Sequence, residues 1–443
     1  MNGIINVPNH GDGMHCSIEI FLDGTWRECC RLDVDSPAKG GAGSASLEYY
    51  PEYALEQTAR VSMRYPVTFD FYRQPKWPAF LFDLIPQGKG RQYLLGELKL
   101  VDGPGADWAL LCAGAFNPVG RLRIREANAF YQRQLDRHDD AIWHRGFELA
   151  EVLARREEFV EYLQVHGMLA SGTTGVQGVA PKFMFTLGLD GLWHADGALP
   201  DHLASKHFLV KLPRGRDPSD LKILRNESAF VRVARALGLF TEEPPQLHDD
   251  FLFIERFDRC VTEGRVLRFH QESVASLVGQ VGFDARPTQN EVLFALREHV
   301  SDPETATVEF LKRDVLNLAM GNTDNHARNT AVQIIGDHVR LAPLFDFAPM
   351  NLDKEGIARA LRWKDMDSRE LTNWGDVLNA LSLPEKEALA VRKQMSAFAD
   401  SVEALPSVMR KHGVDDDIIQ ARHYPIIRQV EQLRELSPSG AGA

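Results

Sequence analysis

Long apolar runs, internal repeats and paired cysteines are all missing from this sequence of 443 residues. No apolar run reaches about 18 residues and no signal peptide is present, so we expect no membrane span. The five cysteines are scattered without metal-ligand spacing, which predicts reduced thiols in a cytoplasmic protein. An excess of positive charge is also lacking. The net charge of −12 argues against broad nonspecific binding of nucleic acid and leaves a local basic patch open.

The composition that remains is typical of a soluble globular protein, with 44% hydrophobic and 25% charged residues. The length allows two or three domains. Residues 17–125 read as mostly β, beginning with a hairpin that turns at Asp23-Gly24. We expect a mobile loop over 36–46 and a helix over 80–98. Further on, an amphipathic helix is expected over 226–237 with Asn226 as its cap, and most of 270–436 reads as helical.

The most informative stretch is Gly321-Asn322-Thr323-Asp324-Asn325-His326-Ala327-Arg328-Asn329. An apolar helix-like run leads into it, and a predicted β-hairpin over 331–341 leads from it to Asp346. Helix, Asp-x-x-x-x-Asn loop, hairpin and second Asp is the order of a phosphotransferase. In that interpretation Asp324 orients or deprotonates the attacking hydroxyl, while Asn329 and Asp346 bind Mg²⁺. The competing interpretation is a plain polar turn, since Asn, Asp and Gly dominate turns.

Segments earlier in the chain contain residues that could bind the phosphates of a nucleotide. A Gly-rich loop over 171–182 has backbone N–H groups able to approach phosphates, although such a loop is more often only a flexible connection. Lys211 lies on an apolar strand, and Glu227 is expected to open a helix 16 residues later. A strand lysine paired with a helix glutamate holds the α- and β-phosphates in protein kinases. The alternative is an edge lysine whose amine reaches solvent.

Three further polar side chains have more than one interpretation. His326 is either a general acid or base, or a structural or phosphate-contacting residue of the loop. Ser171 and Thr174 flank glycines of the Gly-rich loop and are candidates for autophosphorylation. A phosphate there would repel bound nucleotide and draw the loop towards an arginine such as Arg256 or Arg259. Both hydroxyls are equally consistent with simple turn caps.

Several of these motifs together resemble the HipA-type serine/threonine kinases of bacterial toxin–antitoxin systems. The resemblance is carried, in this order, by Phe82–Gly88, Gly114–Leu122, Gly175–Lys182, Phe208–Pro213, Asn226–Ser228, Glu255–Arg259, Gly321–Asn329 and Pro343–Asp346. It implies an α+β, bilobal protein-kinase-like fold with a mainly β N-terminal subdomain and a mainly helical C-terminal lobe. We expect three domains: an N-terminal subdomain over 1–130, the kinase small lobe over 131–258 and the helical large lobe over 259–443.

The resemblance also implies ATP and Mg²⁺ as cofactors and a protein substrate, often an aminoacyl-tRNA synthetase. A small helix-turn-helix antitoxin would neutralise this toxin, and DNA would be met only through the antitoxin. By the same resemblance Asp324 is the proton acceptor and Asn329 and Asp346 are the metal ligands. Glu227 remains the candidate for a supporting ion pair with Lys211. The residues expected to contact ATP are Gly175, Val176, Gln177, Lys182, Lys211, Glu255, Arg256, Phe257 and His326. The loop departs from the family by three extra residues between Gln177 and Pro181.

Two other functions fit parts of the pattern. Small-molecule kinases share the Asp-x-x-x-x-Asn…Asp logic and differ in an acceptor pocket that the motifs do not define. A catalytically quiet protein that acts through an antitoxin and DNA is the second alternative, and the presence of Asp324, Asn329 and Asp346 argues against it.

Overall fold

The computed structural model describes residues 14–136, 145–155, 157–163, 181–215, 217–284 and 286–437. The chain divides into two compact units. The first comprises Met1–Val179, Phe183–His207 and Asp258–Ala285, and the second comprises Ala180–Lys182, Phe208–Phe257 and Arg286–Ala443. The predicted division into three domains stays a prediction.

A five-stranded antiparallel sheet forms the N-terminal part of the first unit. Its strand order is β4-β3-β2-β1-β5, and the strands are β1 (Met14–Leu22), β2 (Thr25–Val34), β3 (Ala45–Tyr49), β4 (Tyr72–Gln74) and β5 (Leu122–Ile124). The predicted hairpin is confirmed by the pairing of β1 with β2. Asp23 and Gly24 both have positive φ, at 51° and 81°, which matches the right-handed twist of the two strands.

Helices cover this sheet and close an apolar core that includes Ile18, Leu32, Trp77 and Phe82. They are α1 (Pro51–Glu56), α2 (Leu81–Leu84), α3 (Gly88–Leu98), α4 (Asp107–Gly114) and α5 (Arg125–Leu135). The single helix expected over 80–98 is wrong, because Ile85 is extended and Pro86 follows it. A residue before proline is driven out of the helical region, so the segment breaks into two helices.

The loop expected over 36–46 is also wrong. Residues Pro37–Ala42 form a 3₁₀ turn, and β3 begins at Ala45. Gly40 and Gly41 are buried, and a Cβ on Gly41 would lie 2.4 Å from Cζ of Phe82. The glycines therefore permit close packing against the core, which composition alone does not distinguish from a flexible loop.

The remaining elements of the first unit follow later in the chain. They are α6 (Leu149–Leu153), α7 (Glu157–Tyr162), β6 (Lys182–Gly188), β7 (Trp193–Ala195), β11 (Arg259–Thr262), β12 (Arg265–Arg268), β13 (His270–Ser273) and α9 (Val274–Leu277), with β6 assigned to this unit from Phe183 onwards. Glu272 of β13 is 2% exposed. Its carboxylate accepts hydrogen bonds from Ser62 Oγ at 2.7 Å, Met63 N at 2.8 Å and Ser276 Oγ at 2.6 Å.

The second unit is mainly helical and contains the sequence motifs of greatest interest. Its strands are the end of β8 (Ala204–Lys211), β9 (Gln246–His248), β10 (Phe251–Glu255), β14 (Ala331–Ile335) and β15 (His338–Leu341). Its helices are α8 (Pro218–Ala236), α10 (Gln289–His299), α11 (Pro303–Met320), α12 (Trp374–Ala380), α13 (Glu385–Glu403), α14 (Leu405–Lys411), α15 (Asp416–Ala421) and α16 (His423–Arg434).

The start of α8 differs from expectation. The helix begins at Pro218, and Asp217 caps it by accepting a hydrogen bond from Ser219 N at 2.9 Å. Asn226 is therefore not the cap, and Glu227 lies in the helix interior. An Asp-Pro pair is a stronger start signal than an internal Asn, because proline fits the first helical position. None of the helices in the described ranges is both long and apolar enough to cross a bilayer.

We predict that Glu272→Gln lowers the free energy of unfolding by about 2–3 kcal/mol, because an amide retains one acceptor oxygen where the carboxylate uses two. Urea denaturation followed by tryptophan fluorescence measures this. Glu48→Gln, on the exposed face of β3, is the matched control. Equal unfolding midpoints for the two variants would contradict the structural importance of Glu272.

Candidate active site

The Asp324 loop starts at a tightly fitted glycine. Helix α11 ends at Met320, and Gly321 takes a left-handed conformation with φ 90°. Its N–H donates to the Asn317 carbonyl at 3.0 Å, and its own carbonyl accepts from Asn351 N at 3.0 Å. A Cβ on Gly321 would lie 2.4 Å from Asn351 Oδ1. The backbone angle therefore favours glycine, and a Cβ would in addition displace the end of the Asn351 side chain.

The loop itself is closed by hydrogen bonds between its own residues. Asn329 Nδ2 donates to the Asp324 carbonyl at 2.9 Å, and Asn329 N donates to the His326 carbonyl at 2.9 Å. The Asp324 side chain is 24% exposed, and its Oδ1 lies 3.7 Å from His326 Nε2. The backbone of Asp324 is thus held by the Asn329 side chain, while its carboxylate remains accessible to a substrate.

The predicted hairpin is confirmed residue by residue. Strands β14 and β15 pair from Val332–Leu341 to Ile335–His338, and the turn is Gly336-Asp337. The chain then runs through Ala342 to Asp346, whose φ of 51° is unusual for a residue other than glycine. Aspartate tolerates this conformation better than most residues, and the local backbone energy is offset by the contacts that its carboxylate makes.

Those contacts form a buried set of charges around Lys211. Lys211 Nζ lies 2.5 Å from Glu227 Oε1 and also contacts Asp346 Oδ1. Lys182 Nζ lies 3.7 Å from the other oxygen of Asp346. The strand lysine, the helix glutamate and the carboxylate after the hairpin therefore meet in one place.

The pKa values follow from burial and from this pairing. Burial alone would lower the pKa of Lys211, but Asp346 and Glu227 raise it above its usual value. Burial would raise the pKa of Asp346, and Lys182 and Lys211 together hold it well below its usual range. Both groups are therefore ionised at neutral pH.

In the loop, the pKa of the acid is raised and the pKa of the base is lowered, the reverse of the shifts at Asp346 and Lys211. Burial raises the pKa of Asp324, with His326 opposing the shift and Asp346 adding to it. Burial also lowers the pKa of His326 despite the nearby Asp324 carboxylate. A carboxylate with a raised pKa is a better proton acceptor than an ordinary aspartate.

Two oxygens of the site have no hydrogen-bond donor among the residues that the structure describes. Asn329 Oδ1 and Asp346 Oδ2 are both buried and unpartnered by hydrogen bonds. Amide and carboxylate oxygens are ligands suited to Mg²⁺. Within the described ranges no group of three or more His, Cys, Asp or Glu residues has metal-binding geometry. A cation here would therefore take its remaining ligands from water and from bound phosphates, as Mg²⁺ does at nucleotide sites.

The segment Glu255–Phe257, which is expected to contact ATP, continues from β10. Glu255 pairs with Phe208 of β8, and Arg256 is buried. The carbonyl of Phe257 accepts a hydrogen bond from Gln333 Nε2 at 2.8 Å, and the Phe257 ring packs 5.7 Å from that of Phe345. These two contacts hold the Phe257 backbone against β14 and the segment before Asp346. Predicted residues Ser171, Thr174, Gly175, Val176 and Gln177 lie outside the described residues.

Sequence reasoning missed two buried amides that fix this site. Gln333 of β14 is completely buried and binds the Phe257 carbonyl. Asn325 lies next to Asp324 and binds the backbone of another segment, donating to the Leu361 carbonyl at 2.9 Å and accepting from Ala360 N at 3.0 Å. A glutamine on an otherwise apolar strand was the available signal for Gln333, whereas nothing local to Asn325 identifies its distant partner.

Comparison with known protein families agrees with this arrangement. The model of the HipA-like C-terminal domain matches residues 174–403, and that of the HipA N-terminal domain matches 37–125. The first match alone spans more than half of the chain. This chain belongs to the HipA family.

Individual relatives are more distant. A Sinorhizobium fredii protein named "Putative kinase Y4mE" is 30% identical over 158 residues, which cover 34% of this chain and 37% of that protein. The "Serine/threonine-protein kinase toxin HipA" of Shewanella oneidensis is 24% identical over 295 residues, 62% of this chain and 63% of that protein. The chain thus spans less than two thirds of the length of either curated relative.

A solved structure supports the fold. One chain of the complex titled "Shewanella oneidensis MR-1 Toxin Antitoxin System HipA, HipB and its operator DNA complex" matches with a TM-score of 0.61 at 17% identity. The match covers 94% of this chain and 99% of that one. The α+β, bilobal protein-kinase-like fold expected from the sequence is confirmed.

We predict that Asp346→Ala abolishes the tightening of ATP binding by Mg²⁺, because the substitution removes a carboxylate whose buried Oδ2 accepts no hydrogen bond from any described residue. Calorimetric titration with ATP, with and without Mg²⁺, measures the effect. Asp337→Ala, in the exposed hairpin turn, is the control. An unchanged Mg²⁺ dependence in Asp346→Ala would rule out this residue as a metal ligand.

Proposed function

We propose that this protein is an ATP- and Mg²⁺-dependent serine/threonine protein kinase of the HipA type. The observation that carries the proposal is the meeting of Lys211, Glu227 and Asp346 at one buried position. A lysine held between a helix carboxylate and a metal-binding carboxylate is the arrangement that protein kinases use to fix the α- and β-phosphates.

In this proposal Asp324 accepts the proton of the attacking hydroxyl, or holds that hydroxyl in line for transfer. Its partial exposure and its raised pKa both support the role. General-base and orientation effects of this kind contribute about 10²- to 10⁴-fold to rate. His326 has a lowered pKa, so it is neutral at physiological pH and acts as a hydrogen-bonding neighbour of the phosphates.

Asn329 and Asp346 would hold Mg²⁺ through their donor-free oxygens. When bound, the metal supplies charge neutralisation on the transferred phosphoryl group. The ammonium groups of Lys211 and Lys182 would bind the nucleotide phosphates. The backbone of Glu255–Phe257 would receive the adenine, and Gly175, Val176 and Gln177 would cover the phosphates from the Gly-rich loop.

The acceptor and the cellular role rest on family membership. The relative from Shewanella is named as a serine/threonine-protein kinase toxin, and the matched solved structure is a complex with HipB and operator DNA. By analogy we propose a protein substrate, with an aminoacyl-tRNA synthetase as the first candidate. We also propose a cytoplasmic toxin that a small helix-turn-helix antitoxin neutralises, with DNA reached only through that antitoxin.

We predict that Asp324→Asn reduces phosphoryl transfer by about 10²- to 10⁴-fold while ATP affinity stays near that of the parent, because the amide cannot accept the proton. Incubation of each protein with ATP, Mg²⁺ and a cell extract, followed by mass spectrometry, measures transfer to Ser and Thr residues. The same spectra report whether Ser171 or Thr174 is modified, which stays a prediction.

Asp337→Asn serves as the control for this substitution, because Asp337 lies in the exposed hairpin turn of the same region. Transfer by Asp324→Asn within a few-fold of the parent would exclude Asp324 as the base. Transfer by the parent to small hydroxyl compounds and to no protein would replace the proposal with a small-molecule kinase.

We predict that induced expression of the parent protein arrests bacterial growth and that Asp324→Asn does not, because arrest requires phosphoryl transfer. Growth curves and colony counts measure this. Co-expression of a small helix-turn-helix protein from a neighbouring gene should restore growth. Equal arrest by parent and variant would show that toxicity does not depend on the kinase site.

A further inference from the structure

The last three helices, α14 to α16, lie beyond residues 174–403 that match the HipA-like C-terminal model. They nevertheless contact the two helices that carry the site within the second unit. Here these three helices and their connections are called the C-terminal brace, covering Leu405–Arg434. Its most direct contact with the site is made by Arg422, which immediately precedes α16.

Arg422 binds the end of α11, directly before the Asp324 loop. Its Nε donates to the Ala319 carbonyl at 3.0 Å and its Nη2 donates to the Leu318 carbonyl at 2.6 Å. The last carbonyls of a helix have no partner within the helix. They also carry the negative end of the helix dipole, which a cation stabilises. Arg422 thus satisfies both the hydrogen bonding and the charge of this helix end.

No carboxylate pairs with Arg422 in the parts of the chain that the structure describes, and burial lowers the pKa of its guanidinium. The burial of this cation is therefore compensated by the α11 carbonyls. The guanidinium carbon also lies 3.2 Å from where a Cβ of Gly321 would be. Arg422 consequently limits the position of the first residue of the loop as well as the helix end.

The same brace holds the helix that carries Glu227. Asn226, the preceding residue, accepts a hydrogen bond from Asp415 N at 3.1 Å. Six residues further on, Arg232 of α8 donates to the His412 carbonyl, with Nη2 at 3.3 Å. The brace therefore contacts α8 next to Glu227 and the end of α11 from which the Asp324 loop starts, so one segment links the two helices.

We propose that Arg422 is a positioning residue for phosphoryl transfer, and that the C-terminal brace acts on the Asp324 loop through it. The inference rests on the proposed kinase function. Arg422 binds the α11 carbonyls, so its effect on transfer would be indirect. It sets where the loop begins, and displacement of a catalytic group by about 1 Å costs roughly 10²-fold in rate. Loss of Arg422 should therefore reduce kcat and leave nucleotide binding intact.

The test compares Arg422→Gln and Arg422→Lys with Arg428→Gln, the matched control on the exposed face of α16. We expect Arg422→Gln to lower kcat by about 10- to 100-fold, with the KM for ATP within about twofold of the parent. Arg422→Lys keeps the charge and reaches fewer carbonyls, so an intermediate kcat is expected. Arg428→Gln should match the parent.

A purely structural role gives a different pattern. A fall in kcat that matches a fall in the fraction of protein able to bind ATP would overturn the proposal, and so would a kcat of Arg422→Gln within twofold of the parent. If Arg422→Gln does not fold, Arg422→Lys decides. A lowered kcat at constant KM supports positioning, and a kcat equal to that of the parent overturns it.

Hydrogen exchange separates this proposal from the proposed kinase function. Amides of residues 321–329 should exchange faster in Arg422→Gln than in Arg428→Gln, with exchange in β14 and β15 unchanged. This readout needs no turnover. A parent protein without phosphoryl transfer would refute the kinase function, while the exchange rates would still support or overturn the control of the loop by Arg422.

Discussion

The second unit depends on one buried set of charges around Lys211. A lysine and two carboxylates cannot be removed from water at low cost unless each charge is paired and hydrogen-bonded. Glu227 and Asp346 satisfy Lys211 together, and Lys182 supplies a further positive charge beside Asp346. Removing one member of a buried ion pair costs about 3–5 kcal/mol because the other charge remains uncompensated. The pairing therefore specifies one arrangement of the strand, the helix and the segment after the hairpin.

The segments that carry these buried charges must be held in one conformation, and the neighbouring backbone shows how this is achieved. Asp346 and Gly321 both have positive φ. The loop between α11 and β14 closes on itself through the hydrogen bond from Asn329 to the Asp324 carbonyl. Backbone strain of this kind persists only where surrounding contacts over-determine the conformation, and such places cluster at functional sites.

Much of this architecture could be predicted from the sequence because its signals are local. The β14–β15 hairpin was predicted to the residue, since alternating apolar residues flank a Gly-Asp turn. The start of α8 was wrong, because the strong Asp217-Pro218 signal was passed over for an internal Asn226. The glycines at 40 and 41 also read as a loop, because composition does not distinguish flexibility from tight packing.

The charged residues of the site could be predicted from the sequence, but the side chains that hold their backbone in place could not. Lys211, Glu227 and Asp346 were expected near one another through a motif order, and the structure brings them into contact. Gln333, Asn325 and Arg422 were missed, since each acts on backbone atoms far away in sequence. Every residue has a backbone carbonyl, so the partner of a side chain that binds one cannot be recognised by its residue type.

The enclosed position of Gly321 has a consequence for how this chain can vary. A Cβ at this position would lie 2.4 Å from Asn351 Oδ1 and 3.2 Å from the guanidinium carbon of Arg422. A side chain at 321 would require the ends of the Asn351 and Arg422 side chains to shift, together with a left-handed backbone that most residues resist. Because the three residues share these contacts, the effects of substitutions at 321, 351 and 422 on stability should not be additive.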